Sequence, residues 1–320
     1  MSDGIDKPGG LRGAPSRREP LPWQEPKPAE DDPGAPERVR RLLASPSYRQ
    51  ADSDIDFLNS AETRGVRLQI DYLKTELSLL ERGVEHTVVV FGSTRIREPA
   101  AAERLVAASR DELAAAPGDA ERQRRLAVAE RLLEKSRYYE VAREFGRLVG
   151  GCRSAVGDCR VLLMTGGGPG IMEAANRGAF DIGTPSIGLN IALPHEQYPN
   201  PYLAPDLCFQ FHYFATRKLH FLQRARALVA FPGGYGTFDE VFETLTLVQS
   251  RTIAPVPVIL VGESYWRRAV DFDFLVAEGV IDAEDRELFW FAESAQEIWQ
   301  SIVAWNERNG TPLLTPRCGP

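Results

Sequence analysis

Five short, continuous apolar runs alternate along the chain with helical stretches, and several of the runs end in glycine. The pattern predicts an α/β protein: a Rossmann-like, doubly wound parallel sheet with flanking helices on both faces. A strand buried on both sides has no solvent face, so it reads as an unbroken apolar run instead of a period-two alternation.

The elements follow in order. Residues 1–36 hold eight prolines and five glycines with only scattered apolar residues. Such a segment buries too little surface to offset its ordering entropy, and a disordered N-terminal tail is expected there. Short helices are expected within 37–58. Asn59 and Glu62 have capping-box spacing, after which Val66, Ile70, Leu73, Leu77 and Leu80 fall on one helical face. That helix ends an N-terminal extension at 37–85 and is expected to pack on the main domain or on a partner subunit.

The main domain is expected over 86–310. His86–Gly92 is its first strand, followed by helices at about 101–116 and 119–150 that form a helical insertion at about 101–150. Arg160–Thr165 is the second strand, with a helix running to about 180. Ser186–Leu193 is the third, Ala227–Phe231 the fourth and Val256–Val261 the fifth. Pro257 has no N–H for a sheet ladder, which places the fifth run at an edge or the proline at a strand start. Helices at about 264–278 and 294–308 complete the domain, and 311–320 form a C-terminal tail.

Composition narrows the function. With 38 basic and 45 acidic side chains the chain carries a formal charge of −7, against broad nucleic-acid binding. No apolar run reaches the roughly 18 residues of a membrane span. The N-terminus lacks a signal-peptide core, which makes the cytoplasm the expected compartment. Cys152, Cys159, Cys208 and Cys318 form no CxxC pair, and His86, His195, His212 and His220 have no metal-ligand spacing. Neither zinc nor a disulfide scaffold is expected. Lysine is scarce: Lys7, Lys27, Lys74, Lys135 and Lys218.

Two strand ends carry the chemistry. Thr165, Gly166, Gly167, Gly168, Pro169 and Gly170 follow the second run; Pro232, Gly233, Gly234, Tyr235, Gly236 and Thr237 follow the fourth. Glycines let backbone amides approach an anion, and the helix that follows adds its positive end. Either turn alone could be a tight strand-to-helix connection, but the pair points to a phosphate-bearing ligand. GxGxxG spacing fails at Ile171, and no GK[ST] follows either turn, which disfavours a dinucleotide enzyme and a P-loop ATPase. Thr237 and Glu240 also have capping-box spacing, so Glu240 reads either as a cap or as a carboxylate held ionised beside the phosphate. Ser93, Thr94 and Arg95 read as ligand contacts or a plain turn. Glu173 and Asn176 face the ligand or the helix surface, and His195 reads as a surface residue. Phe209, Phe211, Tyr213 and Phe214 read as core or dimer interface, and Trp266 and Trp299 as packing.

PGGYGTFDE at 232–240 matches the PGGxGTxxE signature of the Lonely Guy (LOG) family, and FGS at 91–93, GGGPGIMEAANRGA at 166–179, LPHEQ at 193–197 and Arg217-Lys218 fit beside it. Over about 86–308 the chain resembles the larger bacterial branch of that family, whose members are nucleoside 5′-monophosphate phosphoribohydrolases that often carry a "lysine decarboxylase" label. The resemblance implies cleavage of AMP or a cytokinin riboside monophosphate to free base and ribose 5-phosphate, without cofactor or metal, by a homodimer. It implies Arg217 and Glu240 as the catalytic pair. Substrate contacts are expected from Gly92, Ser93, Thr165, Gly166, Gly167, Gly168, Glu196, Lys218, Pro232, Gly233, Gly234, Tyr235, Gly236, Thr237 and Glu243. A non-catalytic carrier of a nucleotide or of molybdenum cofactor on the same scaffold is the alternative. Decarboxylation through pyridoxal phosphate is disfavoured, because none of Lys74, Lys135 and Lys218 follows a histidine.

Overall fold

The computed structural model describes residue 19 and residues 21–152, 161–194 and 198–313. Most of the expected tail, the end of the chain, His195 and Glu196 lie outside the described residues. Two compact units divide the chain, 1–67 and 68–320.

The first unit contains α1 (Ala35–Leu43), two short 3-10 turns and α2 (Ile55–Leu58). Asn59 caps the C-terminus of α2 instead of opening the next helix. The junction is closed by Thr63, whose hydroxyl reaches the carbonyls of Phe57, Leu58 and Ser60 at 3.0, 2.8 and 3.1 Å. The next helix, α3, spans Arg64–Glu81.

Among the described residues the second unit has seven strands: β1 (His86–Phe91), β2 (Val161–Thr165), β3 (Ile187–Ile191), β4 (Cys208–Phe211), β5 (Ala225–Ala230), β6 (Val258–Val261) and β7 (Phe289–Ala292). They form one parallel sheet in the order β4-β3-β2-β1-β5-β6-β7. The five apolar runs are its interior strands, and Pro257 stands just before β6, giving its carbonyl to Leu228 N at 2.9 Å. The two strands that pattern alone did not reveal, β4 and β7, are the edges. They are only four residues long, and half-exposed positions interrupt their apolar character.

Helices cover both faces. Val88, Val90, Leu163, Val229 and Ile259 point to one side, beneath α6 (Arg137–Gly151), α7 (Ile171–Asp181) and α12 (Ala295–Arg308). Val89, Met164, Leu228 and Leu260 point to the other, beneath α8 (Phe214–Gln223), α9 (Tyr235–Gln249), α10 (Glu263–Ala269) and α11 (Phe272–Ala277). The long helix expected at 119–150 is two helices. α5 (Ala120–Lys135) stops where the Ser136 hydroxyl donates to the Leu133 carbonyl at 2.7 Å, and α6 starts anew. α6 is heavily buried on the sheet, whereas α4 (Pro99–Ala114) and α5 form a charged, mostly exposed hairpin. The helix expected at 264–278 likewise divides, because the Asp271 carboxylate caps a new helix by accepting from Phe274 N at 2.9 Å. Cys152, just past α6, is disulfide-bonded, an exception to the cysteine reading, and Cys208 is a free thiol. No described helix is long and apolar enough to cross a membrane.

The expected apolar face of α3 does not pack inward. Val66, Ile70, Leu73, Leu77 and Leu80 are between 37% and 59% exposed, while Thr75 and Leu79 are buried. Leu79 packs into the apolar core, and the polar contacts of α3 converge on α8. The Asp71 carboxylate accepts from His212 N, Tyr213 N and the Thr216 hydroxyl at 3.0, 3.1 and 2.5 Å, tying down the start of α8. Glu76 holds Arg224, at the end of α8, through two bonds of 2.7 and 2.8 Å. These side chains are only 13% and 8% exposed, so removing one partner strands a charge in a poorly hydrated place. Glu76→Gln is therefore expected to lower the unfolding free energy by about 3 kcal/mol, and replacing both residues by leucine to recover most of the loss. Denaturant midpoints at constant slope measure both.

Candidate active site

The chain winds from β1 outward to β4, then returns to β5 and winds outward to β7. The reversal between β1 and β5 is the switch point at which such sheets open a crevice beyond their strand ends. The turns after these two strands are joined: Phe231 N donates to the Phe91 carbonyl at 2.9 Å and Ser93 N to the Pro232 carbonyl at 3.0 Å. The Ser93 carbonyl in turn accepts from Ile171 N at 3.1 Å. A side chain at Gly170, where φ is 75°, would meet that carbonyl at 2.4 Å, so glycine is required there.

A cavity of about 600 Å³ opens at this junction. Its floor and one wall are Gly92, Ser93, Thr94 and Arg95 from the β1 turn, with Pro232, Gly233, Gly234 and the first turns of α9 opposite. α9 starts at Tyr235 from Gly234, with no side chain capping it. The helix thus begins two residues before the expected capping box. Thr237 and Glu240 lie inside it, and the amides of its open end are free of a competing cap, a ready anion site. The Tyr265 hydroxyl donates to the Gly233 carbonyl and braces this loop.

Glu240 and Arg217 line the same cavity. Glu240 is 6% exposed. Burial pushes its carboxyl up to about 7, offset in part by Lys218 and Arg217 and reinforced by Glu243 and Asp239. The sequence-based picture of a permanently ionised carboxylate is corrected here: the side chain sits past the helix end, in a dry position. Arg217 is half-buried, and its partial loss of hydration pulls its guanidinium below the ordinary value, against the attraction of Glu240. Its Nε donates to the Leu189 carbonyl at 2.8 Å, and its guanidinium lies 5.0 Å from the centre of the Phe221 ring. Among the described residues no ion pair joins Arg217 to Glu240.

The other expected residues separate into two groups. Gly92, Ser93, Pro232, Gly233, Gly234, Tyr235, Gly236 and Thr237 line the cavity. Thr165, Gly166, Gly167, Gly168, Lys218 and Glu243 do not, and Glu196 lies outside the described residues. Lys218 is engaged by Asp239 at 2.9 Å and Glu243 at 2.7 Å. The first glycine turn is bound up in a buried network. Thr165 Oγ1 donates to Asn176 Oδ1 at 2.7 Å and accepts from Gly167 N at 2.9 Å, while Asn200 Nδ2 donates to Asn176 Oδ1 and to the Gly168 carbonyl at 3.0 and 3.1 Å. Gly166 instead makes room for Arg217, whose Nη2 is 2.5 Å from where a Cβ would sit. Glu173 is held by the Tyr139 hydroxyl at 2.8 Å. Phe209 and Phe211 are core, Trp266 is fully buried, and Phe214 lines the cavity. Ile96, Leu132, Lys135, Met172, Asp239 and Tyr265 also line it, and sequence reasoning gave them no role in binding. Leu132 and Lys135 lie in the helical hairpin, which carries no recognisable motif. No described group of three or more His, Cys, Asp or Glu is placed to hold a metal ion.

Comparison with known proteins places this arrangement. Residues 172–302 match a family model described as "Possible lysine decarboxylase". A probable cytokinin riboside 5′-monophosphate phosphoribohydrolase of Oryza sativa subsp. japonica is 31% identical over 146 residues, 44% of this chain and 62% of the relative, so the chain spans less than two thirds of that protein. The cytokinin riboside 5′-monophosphate phosphoribohydrolase LOG1 of Arabidopsis thaliana is 30% identical over 152 residues, 46% of this chain and 70% of the relative. The chain belongs to the LOG family. Among solved structures, a molybdenum cofactor carrier protein from Chlamydomonas reinhardtii aligns over 71% of this chain and 99% of its own at 18% identity, with a TM-score of 0.40. That score is too low to bear on function. Arg217 and Glu240 both line the cavity, Glu240 buried and Arg217 half-buried.

Burial of Glu240 has a consequence for stability. Its folded-state value of about 7 exceeds the ordinary glutamate value of 4.5, so between these limits the folded chain holds a proton that the unfolded chain has lost. Stability from this group is complete below pH 4.5 and is lost as pH rises through about 7. Relative to Glu240→Gln, the wild-type chain is expected to lose on the order of 3 kcal/mol across that window. Urea unfolding of both proteins from pH 4 to 8 measures the difference, which closes at the acid end.

Proposed function

We propose that the protein hydrolyses the N-glycosidic bond of a nucleoside 5′-monophosphate, AMP or a cytokinin riboside monophosphate, to release the free base and ribose 5-phosphate. The observation that carries this reading is a buried, ionisable Glu240 facing the same cavity as Arg217 and the open N-terminus of α9. Each part matches one demand of the reaction. The α9 amides and the glycine loop receive the 5′-phosphate. Positive charge develops on the ribose as the bond to the base stretches, and the ionised carboxyl of Glu240 stabilises it. At about 4 Å and an effective dielectric near 20, that attraction is worth about 4 kcal/mol, on the order of a thousandfold in rate. The same carboxylate orients the attacking water and accepts its proton. Arg217, with its Nε committed to Leu189, presents its remaining N–H groups to the departing base or to the phosphate. A carrier would need the phosphate cradle but not a carboxyl held in a dry place beside it, so the hydrolase is the better reading. The relatives' names support it as well. A homodimer and the cytokinin-activating role belong to the same proposal.

The test is chromatography of AMP incubated with the protein. Adenine and ribose 5-phosphate are expected in equal amounts, at a rate that rises with pH through about 7 as Glu240 ionises. Glu240→Gln should lower the rate by about a thousandfold while the protein stays folded. No adenine at high enzyme concentration, or a rate that falls as pH rises through that value, overturns the reading.

Gly166 offers a sharper check. A methyl group there meets the tip of Arg217, a flexible side-chain end, and not backbone. Gly166→Ala should therefore change stability by less than about 1 kcal/mol. Displacing the guanidinium by an ångström should nevertheless cost on the order of a hundredfold in kcat/KM.

A further inference from the structure

The hairpin of α4 and α5 contributes to the cavity at one place. Leu132 and Lys135, three residues apart on α5 and hence on one helix face, both line it. Elsewhere on the hairpin Arg110 pairs with Glu130 at 2.9 Å, Arg122 with Asp119 at 3.4 Å, and Arg124 and Arg125 with Glu121 at 2.7 and 3.1 Å, whereas Arg104 and Arg131, like Lys135, form no described ion pair. Of these three, Lys135 alone lines the cavity. Among the described residues no carboxylate pairs with it, and its ammonium group reaches only the Arg131 carbonyl, at 3.3 Å.

The charge around it is equally uneven. Arg95, Lys135 and Arg217 line the cavity, and no described carboxylate forms an ion pair with any of them. Of the two acids in the lining, Asp239 is already matched by Lys218 at 2.9 Å. The other, Glu240, sits where burial opposes its charge. With the α9 N-terminus added, the cavity has more positive charge than its own residues neutralise. A bound anion of more than one charge would balance it.

We infer that Lys135 is a phosphate-binding residue, carried to the cavity by the α4–α5 hairpin, and that through it the hairpin favours phosphorylated over unphosphorylated ligands. The inference rests on the reading of the cavity as a nucleotide site, but it concerns the phosphate alone and not the bond that is cleaved. Its bland alternative is that Lys135 merely closes the C-terminus of α5, where a cation faces free carbonyls.

The experiment titrates ribose 5-phosphate into the full-length wild-type protein, Lys135→Ala and Lys135→Arg by calorimetry, and follows release of base from AMP and from adenosine. Lys135→Ala should weaken ribose 5-phosphate binding about tenfold, the loss of one charge-assisted hydrogen bond. It should raise KM for AMP by a similar factor with the loss in KM and not in kcat, and Lys135→Arg should restore most of the binding. With adenosine, which has no phosphate, the loss should be far smaller. Equal ribose 5-phosphate affinity in wild type and Lys135→Ala overturns the inference, as does an equal loss for AMP and adenosine, which a helix-end role would produce. Failure of the wild-type protein to bind ribose 5-phosphate overturns it too. If the wild type binds ribose 5-phosphate but releases no base, hydrolysis is excluded while the Lys135 comparison still decides the inference.

Discussion

The hydrogen bond from Ser93 N to the Pro232 carbonyl, with its neighbour from Phe231 N to the Phe91 carbonyl, fixes the spacing between two turns that leave adjacent strands. The two turns that line the cavity are hung from that junction. One turn carries Ser93, Thr94 and Arg95, and the other leads through Gly234 into α9, which places Glu240 at a set depth below the open helix end. The parallel sheet makes this arrangement rigid. Its interior strands have zero or near-zero exposure on both faces, so neither turn can shift without disturbing the core beneath it.

The second constraint acts on α8. A helix of ten residues has little intrinsic stability, and most of its order comes from its contacts. Asp71 ties down its first turn and Glu76 its last, while the Tyr72 carbonyl lies 3.2 Å from His220 Nε2 midway. α3 thus acts as a splint that orients Arg217.

Much of the fold was legible in sequence because interior strands of a parallel sheet have no solvent side, and an unbroken apolar run is an unambiguous signal. The edge strands β4 and β7 carry no such signal, since one side of each faces outward. At the site, glycine composition marked both turns alike, although only the α9 loop lines the cavity and the other is tied into a buried network. The turn at 166–170 has its polar groups satisfied by Asn176 and Asn200, the latter brought back from far along the chain. The capping-box spacing of Thr237 and Glu240 was equally misleading. Sequence fixes an interval of three residues, but not whether the helix has already begun. Lys135 gave no local signal, because what sets it apart from the hairpin's other unpaired cations is its place in the cavity lining, a property of three-dimensional surroundings.

The proton affinity of Glu240 and the charge of the cavity are two sides of one design. A carboxyl buried beside a guanidinium could form a tight ion pair, which would hold it ionised but spend its field on the protein. Instead the Arg217 Nε is given to a backbone carbonyl, Lys218 is given to Asp239 and Glu243, and Glu240 is left with a value near neutrality. Such a group costs folding energy when charged, and its field is strong because little around it screens it. A cation formed transiently in the cavity experiences that field in full, whereas a resting substrate of neutral ribose does not. The differential is what accelerates a reaction, since an interaction equally strong before and at the transition state would lower KM without raising kcat. On the proposed reading the phosphate would supply the complementary part. Being charged throughout the reaction, it would be held by the cations and the helix end without distinguishing ground state from transition state, and the work of discrimination would fall on the one carboxyl left unpaired.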